Sequence, residues 1–285
     1  MKMDKGSTAV RRWFVTGVSS GLGRAIAEHA LSRGDLVVGT LRKPEQFAAF
    51  AALAPGRAFP LALDVADDAA VGPAVARAIA DLGGLDVLVN NAGYALMGAA
   101  EDVTLAEARR QMETNFFGVL KTCQAVLPHF REQGHGRIIN IASVAAIMGF
   151  PMNSMYVASK HAVAGFSEAF AKEVARFGVK VTSVEPGGFR TEFGTTSLNL
   201  PASVSEPYAE ITQKLKTRMT DFAHLAANDP AKGAEVIAAL VELEDPPAHL
   251  ALGADGYAMI TGALKARLDE YEQFGAFASG TAYAG

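Results

Sequence analysis

The sequence predicts an α/β fold with a doubly wound parallel sheet of about seven strands flanked by helices, and three observations point there. Short β-rich apolar runs alternate with longer helical patterns along most of the chain, the order produced when crossover helices connect parallel strands. A glycine-rich turn joins the first such run to the first helix. Short motifs of Gly, Asn, Ser and Pro fall at the carboxyl ends of the predicted strands, where an open parallel sheet binds its ligand.

Taken in order, strands are expected near residues 13–16, 36–41, 58–64, 87–90, 137–142, 179–185 and 250–252. Helices are expected to begin near Gly21, Pro44, Asp67, Thr104, Ser154 and Pro230. Asp229 before Pro230 reads as an N-cap followed by proline at the first helical position. The stretch 187–228 breaks the rhythm: it is rich in Gly, Ser, Thr and Pro at first and weakly helical from about Pro207. A connection that long inside a compact domain is usually a lid or binding loop, and a solvated connection with no task is the other reading. A last helical run over 254–274 covers either the site or an interface. The final "ASGTAYAG" is expected to be less ordered. No composition shift or internal repeat marks a boundary, so one domain over 1–285 is expected, with a substrate-loop insertion at 187–228 and a C-terminal helical extension at 254–285.

Composition narrows the function classes. Half of the 285 residues are hydrophobic and a fifth are charged, ample material for a globular core. The net charge of −4 comes without blocks of like charge, which argues against a nucleic-acid surface. "MKMDKGSTAVRR" lacks the apolar run of ~7–15 residues of a secretory signal, and no stretch approaches the ~18 apolar residues of a membrane span. A soluble, cytoplasmic protein with small-molecule partners and no membrane or nucleic-acid partner is expected. Cys123 is the only cysteine, so there is no intramolecular disulfide and no cysteine-built metal site. Its apolar helical setting reads as that of a buried small hydrophobe, and no metal site is expected.

"WFVTGVSSGLGRAIAEHALSRG" is a strand, a tight turn and a helix, with Gly17, Gly21 and Gly23 spaced G-x3-G-x-G. Such glycines let backbone approach a pyrophosphate, whose charge the free N–H groups of the following helix favour; a merely tight connection is the alternative. At the end of the second strand a carboxylate would bind a ribose 2′-hydroxyl, whereas an arginine would accommodate a 2′-phosphate. Here "VVGTLRKPE" has Leu41 and Arg42 and no carboxylate, so NADP(H) is preferred over NAD(H), with Arg42 as phosphate partner or else a solvated charge. Asp64 could accept a hydrogen bond from an adenine amino group while Val65 flanks the ring, or it is a turn residue.

The turn "TGVSSGLG", "NNAG" at Asn90 to Gly93, "NFFG" at Asn115 to Gly118, Ser143, "YVASK" at Tyr156 to Lys160 and "PGGFRT" at Pro186 to Thr191 occur in one order. That set resembles the short-chain dehydrogenase/reductase family, in its TGxxxGxG and YxxxK branch, from about Val15 to Leu252. The resemblance implies a single nucleotide-binding Rossmann domain, usually in a homodimer or homotetramer. It carries cofactor contacts onto Gly17, Ser19, Ser20, Gly21, Leu22, Gly23, Asn91, Ala92, Gly93, Pro186, Gly187 and Thr191. Catalytic roles fall on Asn115, Ser143, Tyr156 and Lys160, the last two also holding cofactor. The C-terminal part, "LALG" followed by "DGYAMITGALKARLDEYEQF", is similar to a subgroup of hydroxysteroid-dehydrogenase-like bacterial oxidoreductases. One departure is Ser20, where many NADP-dependent members carry a basic residue, which leaves Arg42 to bear the cofactor choice.

These residue types suit hydride transfer between an alcohol and a carbonyl. A free tyrosine has a pKa of about 10 and needs help to move a proton near neutrality. Lys160, one helical turn on, presents a positive charge to the same face, and together with an oxidised nicotinamide it would favour the phenolate. The Ser143 hydroxyl can donate to an oxygen gaining charge, although by itself it reads as a cap. Asn115 lies in what reads as one continuous helix, "AEARRQMETNFFGVLKTCQAVL"; in the family such an asparagine holds a water linked to the lysine, and otherwise it is a solvated or capping residue. Met97, Ile147, Met148, Phe150, Met152, Met155, Phe193 and Leu198 are expected to wall an apolar pocket, of which Ser143, Met148, Phe150, Met155 and Phe193 are the chosen substrate contacts for a hydrophobic ketone, aldehyde or alcohol. No arginine or histidine stands where it would clearly read a carboxylate or phosphate of the substrate; Arg190 could, but it adjoins the cofactor motif. The rivals are an epimerase or dehydratase, whose turn is usually TGxxGxxG, and a cofactor-sensing regulatory protein without turnover.

Overall fold

In β1 (Arg12–Val15), Trp13 and Val15 join one apolar cluster and Phe14 joins another, all three buried. Successive strand residues point to opposite faces, so each central strand feeds two cores. β2 (Leu36–Leu41) sends Val37 and Leu41 one way and Val38 the other. β4 (Val87–Asn90) does the same with Val87 and Val89 against Leu88. Each such side chain contributes roughly 1.5–3 kcal/mol by leaving water.

The computed structural model describes residues 10–281 and 283. β3 (Ala58–Ala62), β6 (Gly136–Ile141), β7 (Val179–Pro186) and β9 (His249–Leu252) complete a seven-stranded sheet in the order β3-β2-β1-β4-β6-β7-β9. Every pairing is parallel. The winding reverses between β1 and β4, which opens a crevice above their carboxyl ends. One face is covered by α1 (Gly21–Ser32), α2 (Phe47–Ala51) and α8 (Pro230–Val241), through Ile26, Leu31, Phe50 and Ile237. The other is covered by α3 (Asp68–Leu82), α5 (Gly118–Gln133) and α6 (Ser154–Val174), through Val75, Val126, Phe130 and Val163.

Local chemistry sets several starts. Asp67 caps α3 by accepting from Ala69 and Ala70, and Asp229 caps α8 by accepting from Ala231, with Pro230 at its first position as expected. Thr104 and Glu107 form a reciprocal capping box on α4 (Leu105–Met112), satisfying two otherwise orphaned donors. Cys123 is fully buried, as read from its setting, and burial pushes its thiol up to about 12.

One expectation needs correction. The run from α4 into α5 is not one α-helix: a π-helical turn, Glu113–Phe117, interrupts it. The stretch 187–228 contributes β8 (Leu198–Asn199), which pairs in parallel with β5 (Ala95–Leu96) as a second small sheet, and its helical pattern from about Pro207 is a 20-residue helix, α7 (Glu206–Leu225). After β9 the chain continues as α9 (Ala254–Ala278). Among the described residues no helix is long and apolar enough to cross a membrane. The first nine residues of the N-terminal segment, and part of the terminal "ASGTAYAG", lie outside the described residues.

Candidate active site

Thr16 and Gly17 follow β1 and open the crevice. The Thr16 hydroxyl oxygen accepts from the backbone amides of Asn91 and Ala92 at 2.9 and 3.0 Å, and Asn91 Nδ2 donates to the Thr16 and Gly17 carbonyls. The Gly17 amide donates to Thr40 Oγ1 on β2 at 3.0 Å. The turn is therefore bolted to the ends of both neighbouring strands. Gly17 and Gly21 have φ of +72° and +63°, a region that a Cβ disfavours. Gly23 faces the Asn91 side chain with no room for a Cβ. Ser20 makes no side-chain bond to the first turn of α1, which leaves amides available to an anion.

A cleft of about 1230 Å³ runs from this turn to the end of β6 and under α7. Of the residues singled out from sequence, Gly17, Ser19, Ser20, Gly21, Leu22, Arg42, Asp64, Val65, Asn91, Ala92, Gly93, Ser143, Phe150, Tyr156, Lys160, Pro186, Gly187, Thr191 and Phe193 line it. Arg42 and Asp64 sit exposed at one end. Asp64 accepts from the Ala66 amide at 3.0 Å, a turn bond that occupies one carboxylate oxygen.

The other end is buried. Tyr156, 7% exposed, has the Ser143 side chain beside its hydroxyl, and its ring lies 5.8 Å from that of Phe193. Burial pushes its hydroxyl up to about 12, against a smaller downward pull from Ser143. Lys160, 5% exposed, has its Nζ 5.7 Å from the Tyr156 ring centre and donates to the Ile141 carbonyl at 2.8 Å. Burial lowers this ammonium to about 8. Without another charge nearby, the protein holds Tyr156 protonated, the reverse of the shift that the spacing of the pair suggests. Ser143 also accepts from the Ala145 amide at 3.1 Å, so the cap reading holds beside the contact to Tyr156.

Asn115 is 1% exposed and is neither solvated nor a cap. The π-helical turn directs its amide to the Tyr94 carbonyl at 2.9 Å and Ser159 Oγ at 3.0 Å, and its oxygen accepts from the Tyr94 amide at 3.1 Å. One extra residue per turn changes which side chains face inward. Asn115 reaches the buried end from behind Gly93, where an added Cβ would stand 3.1 Å from Asn115 Oδ1 and 3.8 Å from Lys160 Nζ. A Cβ on Gly17 would meet Ala92 and Asn91, and one on Gly93 would meet Asn115; backbone alone thus lines the cleft at these two positions, and a nicotinamide dinucleotide fits the donors around the turn.

Four of the chosen cofactor, catalytic and substrate residues do not line the cleft: Gly23 and Asn115 lie behind it, and Met148 and Met155 lie away from it. Met155 is about 100° round α6 from Tyr156, and Val144 and Ala145 take the wall position that Met148 was expected to fill. Met97 and Met152 do line it, whereas Ile147 and Leu198 do not. Arg190 is diverted as well, since its Nε donates to the Ala226 carbonyl at 2.7 Å. Besides Arg42 and Lys160, the cations that reach the cleft are Arg110 on α4 and Lys214 and Arg218 on α7. They were not foreseen, although Ile211, Leu215 and Phe222 with Lys214 and Arg218 follow helical spacing. Asp255 and Met259, at the start of α9, also reach it, so this helix touches the site. Among the described residues no group of three His, Cys, Asp or Glu is arranged to hold a metal ion.

Comparison with known proteins agrees with this geometry. Residues 11–199 match the family model for short chain dehydrogenases. The chain is 41% identical over 244 residues to Oxidoreductase BOA17 of Botryotinia fuckeliana, covering 85% of this chain and 89% of the relative. It is 38% identical over 241 residues to 3-ketodihydrosphingosine reductase of Bacteroides thetaiotaomicron, covering 84% and 86%. The crystal structure of a short-chain dehydrogenase from Streptomyces avermitilis superposes with a TM-score of 0.87 at 39% identity, over 97% of this chain and all of that one.

Proposed function

The chain belongs to the short-chain dehydrogenase family, and on that premise we propose that it interconverts a hydrophobic ketone or aldehyde and the corresponding alcohol, using NADP(H) in preference to NAD(H). One observation carries the reading: Tyr156, beside Ser143 and one helical turn from Lys160, opens on the same cleft as the glycine turn. When bound, the nicotinamide supplies or accepts the hydride.

The chain's own residues move the proton. In the reducing direction Tyr156, held protonated by burial, donates to the carbonyl oxygen as that oxygen gains charge, and Ser143 donates a second hydrogen bond to it. In the oxidising direction Tyr156 must first lose its proton. The Lys160 ammonium, still largely charged at pH 7, favours that loss. Asn115 fixes the Tyr94 backbone and Ser159, whose hydroxyl donates to the Tyr156 carbonyl at 2.8 Å. Purified Tyr156→Phe is expected to bind NADPH and turn over no carbonyl compound; near-normal turnover would overturn the mechanism. A cofactor sensor without turnover would instead show wild-type binding of NADPH and no oxidation of it with any of a panel of ketones and aldehydes.

Exposed Arg42, and the lack of a carboxylate at the end of β2, support the preference for NADP(H). Met97, Phe150, Phe193, Leu215 and Met219 support an apolar substrate. The relative named for reducing a keto compound supports carbonyl chemistry. Arg218, which has no ion-pair partner among the described residues, suits an acidic group at the far end of such a substrate. We place the chain in the TGxxxGxG and YxxxK branch, as one domain whose 187–228 excursion closes over substrate and whose 254–285 extension supports it. A cytoplasmic homodimer or homotetramer completes the reading, supported by the exposed apolar side chains of Leu264, Leu268 and Phe274 on α9.

A further inference from the structure

Asp255 is the second residue of α9, far in sequence from every motif of the site, yet it lines the cleft. Its Oδ2 accepts from the Gly188 amide at 2.7 Å, and its Oδ1 accepts from Asn228 Nδ2 at 2.6 Å. Asn228 Nδ2 also donates to the Gly188 carbonyl at 2.7 Å. Three groups thus close a ring of three short hydrogen bonds. Gly187 lies against the same carboxylate, with Asp255 Oδ1 and the Gly256 amide standing where its Cβ would be. Its own amide donates to the Leu252 carbonyl at 2.9 Å.

The ring also shuts the neck of the excursion that carries α7. Phe189 and Asn228 form a parallel bridge, the Arg190 amide donates to the Asn228 carbonyl at 3.0 Å, and the Arg190 side chain holds the Ala226 carbonyl. Burial raises the Asp255 carboxyl, but the hydrogen bonds from Gly188, Asn228 and Gly256 outweigh it and leave it below the usual carboxylate range. The group is therefore an anion at neutral pH, and both of its bonds are charge-assisted.

We propose that Asp255 is a positioning residue for the cofactor: through the Gly188 amide and Asn228 it fixes the Gly187 to Gly188 turn against which the nicotinamide end binds, and it closes the neck of the α7 excursion. The C-terminal helix is then part of the cofactor site through its first turn. This rests on the dehydrogenase reading above, and it predicts an effect on cofactor affinity and not on the proton-transfer step. Asn at 255 would set an amide N–H2 against one of the two donors, Gly188 or Asn228, so even the isosteric change breaks the ring.

The test is NADPH affinity by fluorescence titration, with steady-state kinetics at saturating NADPH, for wild type, Asp255→Asn, Asp255→Ala, Asn228→Ala and the double Ala variant. Each single variant is expected to raise the NADPH Kd about tenfold, the loss of one charge-assisted hydrogen bond, while kcat at saturating NADPH stays within about threefold. The double variant is expected to fall short of the sum of the single losses, because both residues act on Gly188. Folded variants with unchanged NADPH Kd, or losses in kcat with Kd unmoved, would overturn the proposal. Should Asp255→Ala fail to fold, Asn228→Ala keeps the Asp255 bond to Gly188 and carries the same test. Wild-type protein that bound neither NADPH nor NADH would sink the dehydrogenase reading itself, an outcome separate from tight wild-type binding with equally tight variants, which sinks only the role of Asp255.

Discussion

The two ends of the cleft are built on opposite physical terms. Tyr156, Lys160 and Asn115 are each more than nine-tenths buried, with Lys160 and Asn115 hydrogen-bonded to the fold. At the other end the Arg42 and Asp64 side chains stand exposed, and that of Asp64 is held by a turn bond from the Ala66 amide. Proton transfer needs groups whose protonation is tuned by removal from water, and the buried end supplies that: the tyrosine is pushed up to about 12 and the lysine down to about 8. Discrimination between a phosphate and a hydroxyl needs only a nearby charge, which works at the surface. Mutations should therefore be severe at one end and graded at the other.

The largest effect is expected from Tyr156→Phe, a loss of about 10³-fold or more in kcat with NADPH Kd little changed, because the proton donor is removed and its shape kept. Stopped-flow measurement of NADPH oxidation with a responsive ketone checks this, and a loss below tenfold would erase the contrast between the ends.

Lys160→Met comes next, with kcat expected to fall about 10²-fold as the charge near Tyr156 is lost. The same change should stabilise the protein without cofactor. Burial lowers the lysine from 10.5 to about 8, so between those pH values the unfolded chain binds more protons than the folded one, and stability rises with pH through that window. Below pH 8 the destabilisation is fully present. Removing the ammonium should raise Tm at pH 7 by about 5 °C, and the gain should shrink towards pH 10.5. A lower Tm for the variant across this range in scanning calorimetry would show that the bond to the Ile141 carbonyl outweighs desolvation.

At the exposed end Arg42→Ala should cut the preference for NADPH over NADH about 10- to 30-fold in kcat/KM, the worth of one charge-assisted contact, leaving kcat near wild type. An unchanged ratio would remove Arg42 from the cofactor assignment. The smallest effect belongs to Asp64→Asn, which keeps an acceptor for the Ala66 amide and should move cofactor KM by no more than about threefold.

Legibility in the sequence follows the same division between local and distant causes. The starts of α1, α6 and α8 and the bounds of β2 and β4 agree with expectation to the residue, because periodicity, β-branched runs, glycine turns and the Asp229 cap act over a few neighbours. The π-helical turn at Asn115 was illegible. Its apolar spacing continues that of the flanking helices, and what selects the extra residue is a set of bonds to Tyr94 and Ser159, 21 and 44 positions away. The direction of Arg190 towards Ala226, and the displacement of Met148 and Met155 from the wall, are decided in the same way.

By itself the chain's order of residues determined the parallel α/β architecture, the glycine turn and the placing of Tyr156 and Lys160 on one helix face, since each depends on interactions within about one or two turns. Tertiary structure alone decided the rest. It turned Asn115 inward, set Lys214 and Arg218 of α7 over the cleft, desolvated Tyr156 and Lys160, and brought Asp255 and Asn228 to Gly188 across 67 and 40 positions. Burial and charge proximity are properties of packed neighbours, and no window of sequence contains those neighbours.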